Sequence, residues 1–572
     1  MDNAAVAQVF QDLADLLELK GENRFKIKAY ERAARTIEGL SVDLEQVMNE
    51  GRLREIPGVG EAIAKKISEL LSTGRLDVYE KLRSEFPDGI RSLMDVPGVG
   101  PRIAARAHQE LGVNSIDDLE KAIVDGRFAS LQGLGEKTAD NILRQLRRHR
   151  HKDVRILLGT AQPLVDEIVS ALRDQLGVRH LEPAGSLRRA RETVGDIDIM
   201  GTADEPARIV ETFVRLPVVE EVLAKGPTKA SVIAANGIQV DLRMVDHESY
   251  GSLLQHFTGS KEHNVLLREM ALHRGLSLSE YGITVLDTGE VEKYTDEAAF
   301  YERLGLQLIP PELREAQGEI EAAQKRQLPE LIELADIKGD LHVHTDWSDG
   351  HDSIEAMAMA AQGLGYEYLA ITDHSAGRGI AHGLSVERLR EQIAEIRDVD
   401  AKLSRIRLLA GIELDIRADG ALDYPDDILE ELDIVVAAVH SSMQQDSEKM
   451  TRRVIRAIEN PRVHVLAHPT CRLIGTREPV EIDLEEVFRA SVRTNTALEI
   501  NAMPDRLDLR DTQAKRAGEV GVSLVIGTDS HSVDHLDLMR FGVGVARRGW
   551  CRASDVLNTR PVDEFLRWLK RR

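Results

Sequence analysis

The sequence predicts a multidomain chain with three successive fold types: an all-α N-terminal region, an α+β middle and a C-terminal α/β part shaped like a barrel. Three observations carry this. A five-residue glycine turn recurs three times between helical patterns before residue 140. Two aspartates alternate on an apolar strand pattern at residues 196–200, and a third acid sits in a second such pattern at 241. From Lys338 onward apolar strands alternate with helices, and one strand after another runs into a histidine or an acid.

At 572 residues, 42% hydrophobic and 30% charged, the chain has material for several cores, roughly four on length alone. Its opening, MDNAAVAQVFQDLADLLELK, carries acids through an amphipathic helix pattern. It lacks the basic start and apolar run of a secretion signal. No stretch approaches the ~18 consecutive apolar residues of a membrane span, so no membrane partner is expected. Cys471 and Cys551 are the only cysteines, which implies no disulfide framework and predicts a reducing cytoplasm. A net charge of -23 excludes a uniformly basic nucleic-acid binder. The charge is uneven, however. Residues 51–150 hold 17 basic against 15 acidic side chains, and residues 301–450 hold 14 against 31. Between Lys137 and Arg155 lie Lys137, Arg144, Arg147, Arg148, Arg150, Lys152 and Arg155, opposed only by Asp140 and Asp153. Nucleic-acid contact is therefore expected to be local and salt-sensitive.

The repeated turn reads Ile56-Pro57-Gly58-Val59-Gly60, Val96-Pro97-Gly98-Val99-Gly100 and Leu131-Gln132-Gly133-Leu134-Gly135. Each precedes a helix that begins with small residues. This is the helix-hairpin-helix signature. Gly58, Gly60, Gly98, Gly100, Gly133 and Gly135 permit a tight turn and let backbone N–H groups approach a DNA phosphate. An ordinary connection between helices explains one copy far better than three.

In the middle, Asp196 and Asp198 alternate on a strand and so share a face. Asp241 comes from a second strand. Three converging carboxylates suit two Mg²⁺ or Mn²⁺ ions that orient an attacking oxygen and stabilise a leaving pyrophosphate. Gly185-Ser186 offers a turn for close phosphate approach, with Arg188 and Arg189 as nearby cations. In the C-terminal part, His342, His344, Asp349, His374, Glu413, His440, His468, Asp529 and His531 cluster around strand ends. Strand C-termini gather at one face of a barrel. Histidine mixed with carboxylate suits Mn²⁺, Zn²⁺ or Fe²⁺. A lone histidine of this kind is ordinarily a hydrogen-bonded core residue, whereas six with three acids point to a metal centre. Arg378 and His382 follow His374 in a glycine-rich loop and suit either a substrate phosphate or plain solvation.

The run Gly185-Ser186-Leu187-Arg188-Arg189-Ala190-Arg191-Glu192-Thr193-Val194-Gly195-Asp196-Ile197-Asp198 resembles the palm signature of family X DNA polymerases, and Phe257-Thr258-Gly259-Ser260 resembles their thumb motif. The resemblance implies Asp196, Asp198 and Asp241 as the metal triad, and Ser186, Arg189 and Gly195 on an incoming triphosphate. It implies Phe257, Gly259 and Asn264 around sugar and base, and Arg268 near the template. His256 stands where the family has tyrosine, and Gln239 where it has arginine, so sugar discrimination and the surroundings of Asp241 depart from the pattern. The N-terminal segment resembles the family's small lyase domain. Lys66 matches its Schiff-base lysine, Lys26 and Tyr30 a DNA-end site, but Ala62 replaces a helper lysine, and a solvated surface lysine is the alternative reading of Lys66.

His342-Val343-His344, Thr372-Asp373-His374, Gly411-Ile412-Glu413, Val439-His440-Ser441, Ala467-His468-Pro469 and Gly527-Thr528-Asp529-Ser530-His531 resemble the PHP (polymerase and histidinol phosphatase) domain. That implies a distorted TIM-like βα barrel with a complete trinuclear centre.

Together these resemblances divide the chain into a lyase-like domain (1–90), a fingers-like domain (91–155), a nucleotidyltransferase palm (156–245), a thumb (246–315), a helical linker (316–337) and a PHP phosphoesterase domain (338–572). They imply a bacterial or archaeal gap-filling repair polymerase, monomeric and cytoplasmic at the nucleoid. It would act on gapped or nicked DNA with dNTPs and carry a metal-dependent 3′–5′ exonuclease, with abasic-site endonuclease or 3′-phosphatase activity as extensions. The alternatives are a ribonucleotide-tolerant or template-independent nucleotidyltransferase, and a DNA-end-binding PHP phosphatase.

Overall fold

The computed structural model describes residues 3–38, 44–49, 51–56, 58–85, 90, 93–94, 96, 98–131, 134–139, 141–143 and 155–570. Contacts divide the chain into two compact units, Met1–Val154 and Arg155–Arg572.

Helices are the only regular secondary structure among the first unit's described residues. Asn3–Leu19 and Arg24–Glu38 bury Phe10, Leu13, Leu17, Ala33 and Ile37 at helical spacing. The three glycine turns repeat one another bond for bond. The N–H groups of Val59, Val99 and Leu134 donate to the carbonyls of Ile56, Val96 and Leu131 at 3.0, 2.9 and 2.9 Å. All six of those residues are buried, so each turn is anchored by its apolar positions. Gly58 has φ +87°, and a Cβ there would meet Arg32 Cδ at 2.9 Å, so only glycine fits. Gly60 and Gly100 are exposed N-caps of the helices Glu61–Thr73 and Pro101–Leu111, and Gly135 accepts from Thr138 and Ala139 in the same way. Gly133, Asp140, Arg144, Arg147, Arg148, Arg150, Lys152 and Asp153 lie outside the described residues.

The second unit opens with the helix Leu158–Arg173 and a five-stranded sheet. The strands are β1 (Val178–Pro183), β2 (Asp196–Ala203), β3 (Val219–Lys225), β4 (Lys229–Ala234) and β5 (Gln239–Met244), in the order β1-β2-β5-β4-β3. β2 and β5 are parallel, and every other pair is antiparallel. The lobe beyond contains the helices Tyr250–Thr258 and Lys261–Leu272 and a small antiparallel sheet from Leu276–Ser279, Gly282–Val285 and Val291–Glu292. Its core gathers Leu267, Phe300, Tyr301, Ile309 and Leu313.

Residues 316–337, expected as a helical linker, are helical only at Glu319–Gln324 and in a short 3-10 turn at Leu334–Asp336. The segment is packed. Ile320, Ala323 and Leu331 join the lobe's core, and Ile332 N–H donates to Cys551 O at 3.0 Å. Glu319 is fully buried and bonds His263 Nδ1 at 2.6 Å. Composition alone reads Glu319 as a solvated helix residue; tertiary burial decides otherwise.

The remaining strands are β6 (Gly339–Asp340), β7 (Tyr368–Ile371), β8 (Arg407–Asp415), β9 (Ile434–Ala438), β10 (Val465–Leu466), β11 (Ala497–Asn501) and β12 (Leu524–Gly527). They pair in sequence order, all parallel. A parallel bridge from Val343 to Ser530 brings the two edges together, giving a nearly closed seven-stranded barrel. Tyr368, Ala370, Val436 and Val525 point into a core that the helix Val562–Leu569 plugs, Phe565 stacking on Tyr368 at 4.8 Å. The alternate strand residues face the surrounding helices, so both faces are buried, as an all-parallel sheet requires.

The five-stranded sheet and the barrel share one continuous apolar core. A Cβ on Gly159 would lie 2.4 Å from Pro504, and one on Gly544 3.1 Å from Ala190. Among the described residues, no helix is long and apolar enough to cross a membrane.

Candidate active sites

The first site grows from β2 and β5. Their register places Asp198 directly opposite Asp241, with Asp196 two residues away on the same face. Burial first, and then the charges of Asp196 and Asp241, push Asp198 up to about 7. Gln239, where the family has arginine, donates its amide to Asp241 Oδ2 at 2.8 Å. Gly185 has φ +59°, and a Cβ there would sit 3.0 Å from Asp198 Oδ2, so a side chain would block the acid.

A cleft of about 860 Å³ opens over this face. Ser186, Arg189, Asp196, Asp198, His256, Phe257, Gly259, Asn264 and Arg268 line it, together with Arg155 and Arg191, named from the sequence only as members of longer runs, and Glu315, not singled out there. Asp241 and Gly195 border this wall without lining the cleft; Arg155 Nη1 lies 3.1 Å from where a Gly195 Cβ would be. Asn264 is fixed by donating to His256 O and accepting from Gln255, both at 2.8 Å. Arg243 covers the Phe257 ring at 4.6 Å. Burial pushes His256 below its ordinary value.

The two adjacent arginines part company. Arg188, expected as a phosphate-side cation, instead turns into the protein and donates to Thr258 Oγ1 at 2.7 Å and Glu297 Oε2 at 2.8 Å. It bolts the palm-like sheet to the thumb-like lobe. Arg189 does face the cleft, with Nε on Glu315 Oε1 at 2.9 Å.

The second site sits at the C-terminal ends of the barrel strands. His342 and His344 follow β6, His374 follows β7, Glu413 lies on β8, His440 follows β9, His468 follows β10, and Asp529 and His531 follow β12. Asp349 comes from the loop after His344. Three overlapping groups could each hold an ion: His344, Asp349, His374 and His531; His342, His344 and Asp529; His374, Glu413 and His440. Glu413 is their hub, 2.8 Å from His374 Nδ1, 3.2 Å from His440 Nε2, 2.9 Å from His468 Nε2 and 3.4 Å from His342 Nε2.

The donor set fits divalent cations. His342 Nε2, both nitrogens of His344, His374 Nδ1, His468 Nδ1 and Glu413 Oε2 are buried and make no hydrogen bond. Buried polar atoms left without partners are costly, and coordination would satisfy them. Burial, and then His374, push His344 down to about 3, whereas against burial Glu413 and Asp349 hold His374 up at about 10, a proton that a bound cation would displace.

A second ring of carboxylates holds these ligands, and sequence reasoning missed it. Glu499 on β11 accepts from His342 Nδ1 at 2.7 Å and from His468 N–H at 2.7 Å. Asp415 holds His440 Nδ1 at 2.5 Å. Asp340 accepts from Thr528 N–H at 3.1 Å across the barrel seam. Such partners fix tautomer and ring orientation. An acid inside the apolar run Ala497-Leu498-Glu499-Ile500 was the available signal.

In the helical unit, Lys66 is half-buried on Glu61–Thr73, and its neighbour Lys65 pairs with Glu61 at 3.1 Å. Lys26 pairs with Glu22 at 3.4 Å. Tyr30, expected at a DNA end, is 7% exposed and packs on Phe10, so its ring belongs to the core.

Fold and sites define a class: a nucleotidyltransferase-like sheet and lobe fused to a metal-ready βα barrel. Comparison with known proteins names the parts. Residues 1–76 match the helix-hairpin-helix domain, 90–148 the SAM-like helix-hairpin-helix tandem, 253–315 the DNA polymerase beta thumb and 340–502 the PHP domain. The chain is 41% identical, over all of both chains, to the DNA polymerase/3'-5' exonuclease PolX of Bacillus subtilis (strain 168). It therefore belongs to the family of PHP-bearing family X DNA polymerases represented by that protein. Probable phosphatases of Thermoanaerobacter sp. (strain X514) and Acetivibrio thermocellus match 41% of the chain at 29% and 31% identity, over 96% and 95% of their own lengths.

Proposed function

We propose that the chain is a DNA-directed DNA polymerase that fills short gaps during repair, and that its PHP barrel is a 3′–5′ exonuclease. The observation that carries the reading is the in-register pair Asp198 and Asp241, with Asp196 beside them, in the same unit as three overlapping histidine–carboxylate groups that could each hold an ion.

Asp196, Asp198 and Asp241 would hold Mg²⁺ or Mn²⁺, which when bound supplies Lewis acidity to the attacking 3′-oxygen and neutralises the leaving pyrophosphate. Ser186 and Arg189, which line the same cleft as Asp196 and Asp198, orient the triphosphate. Phe257, Gly259 and Asn264 shape the sugar and base position, and Arg268 lies on the exposed side toward the template. Gly60, Gly100 and Gly135 present helix starts to DNA phosphates in the helical unit. In the barrel, His342, His344, Asp349, His374, Glu413, His440, His468, Asp529 and His531 would hold Mn²⁺, Zn²⁺ or Fe²⁺ ions, which supply Lewis acidity at the scissile phosphate. Glu499 and Asp415 keep His342 and His440 oriented for that task. Gapped or nicked DNA and dNTPs are the substrates, and the enzyme works as a cytoplasmic monomer at the nucleoid.

The test is a 5′-labelled primer on one-nucleotide-gapped DNA with Mn²⁺. The expected result is one-nucleotide extension with dNTPs and shortening without them; a primer unchanged in both conditions would overturn the reading. His256 at the sugar side of the cleft motivates the same assay with rNTPs, where equal insertion would favour the ribonucleotide-tolerant alternative. A primer ending in 3′-phosphate separates phosphatase action from exonuclease action in the barrel.

A further inference from the structure

The cleft's Arg189 is not held by polymerase residues alone. Its Nε donates to Glu315 Oε1 at 2.9 Å. The same oxygen accepts from Arg548 Nη1, also at 2.9 Å. Arg548 ends the helix Met539–Arg548 of the barrel, and its side chain is 2% exposed. It donates further to the backbone carbonyl of Arg189 at 2.8 Å and to Asp511 Oδ2 at 2.5 Å. One half-buried carboxylate thus sits between a guanidinium of the nucleotide cleft and a guanidinium of the hydrolase barrel, with Arg191 Nη1 3.7 Å from its other oxygen.

A carboxylate shared by two cations binds each less tightly than it would bind one. Arg189 Nη1 also donates to Thr258 O at 2.5 Å, but Glu315 is the charged group with which an incoming triphosphate must compete for Arg189. We propose that Arg548 is a positioning residue for nucleotidyl transfer: by taking part of the Glu315 charge and fixing the Arg189 backbone, it leaves the Arg189 guanidinium available to the triphosphate. This rests on the polymerase reading above.

The experiment compares KM for dNTP on gapped DNA among wild type, R548M/D511N, E315Q and the triple variant, with exonuclease activity measured on each preparation. Removing Asp511 with Arg548 avoids stranding a buried charge. R548M/D511N is expected to raise KM about tenfold with kcat and exonuclease activity little changed. E315Q is expected to lower KM, and in its background the Arg548 change is expected to have no effect. An unchanged KM in R548M/D511N, or a rise that persists with E315Q, overturns the proposal. If the double variant loses exonuclease activity through misfolding, E315Q alone decides: a KM that does not fall overturns it. Wild type that inserts no nucleotide overturns the polymerase reading and this proposal with it, whereas normal wild-type insertion with an unchanged variant KM overturns this proposal alone.

Discussion

The palm and the barrel hold their acids in opposite ways. In the palm, Asp196 and Asp198 line an open cleft with Asp241 beside them, and burial and then the charges of its two neighbours push the Asp198 carboxyl up to about 7. In the barrel, most of the ligands are buried against one another, with Asp349 and His531 partly exposed, and several of their imidazole and carboxylate atoms make no hydrogen bond. The difference teaches which site needs its metal for structure as well as chemistry. The palm can rest without a cation at little cost; the barrel centre cannot.

Chelation is the strongest way to break that comparison. Stripping metal should lower the melting temperature of the chain by on the order of 10 °C, from the roughly 4 kcal/mol that a tightly bound ion contributes. Asp196→Ala should keep this sensitivity and Glu413→Gln should abolish it. Equal sensitivity in both variants, measured by scanning calorimetry with and without chelator, would show that the palm ions carry it instead.

A second test asks whether the thumb is bolted to the palm by charge. Burial works against the charge of Glu297, but Arg314 and then Arg188 outweigh it and hold the carboxyl at about 2. A depressed carboxyl stabilises the folded state above its ordinary value near 4.5 and loses that contribution as pH falls toward 2. Glu297→Gln should therefore cost about 3 kcal/mol at pH 7, and the gap to wild type should close between pH 4.5 and 2. A gap independent of pH would assign the loss to packing.

The smallest expected effect lies in the outer ring. Glu499→Gln should weaken barrel metal affinity about 10- to 100-fold while leaving nucleotide insertion within about twofold. Metal titration followed by exonuclease activity reads this directly; wild-type affinity would make Glu499 a mere core acid.

What was legible in the sequence follows from these contrasts. His374, His440 and His468 were readable because each ends an apolar strand, and strand ends gather at one face of a barrel. Asp196 and Asp198 were readable because period two puts both on one face. Glu499 and Asp415 sit within strands, where only the fold shows that they meet a histidine. Arg188 and Arg189 are neighbours in sequence, yet one serves Glu297 in the thumb and the other Glu315 at the cleft, a division set by the turn at Gly185–Arg188. The burial of residues 316–337 depends on partners such as His263 and Cys551 that lie far away along the chain.

The central claim is that two chemically independent centres share one body. It is tested most directly on gapped DNA with Mn²⁺, with Asp196→Ala and His342→Ala beside wild type. Asp196→Ala should lose extension by about 10³-fold or more and keep 3′ degradation, and His342→Ala should do the reverse. Loss of both activities in either variant, or undiminished degradation by His342→Ala, would contradict it.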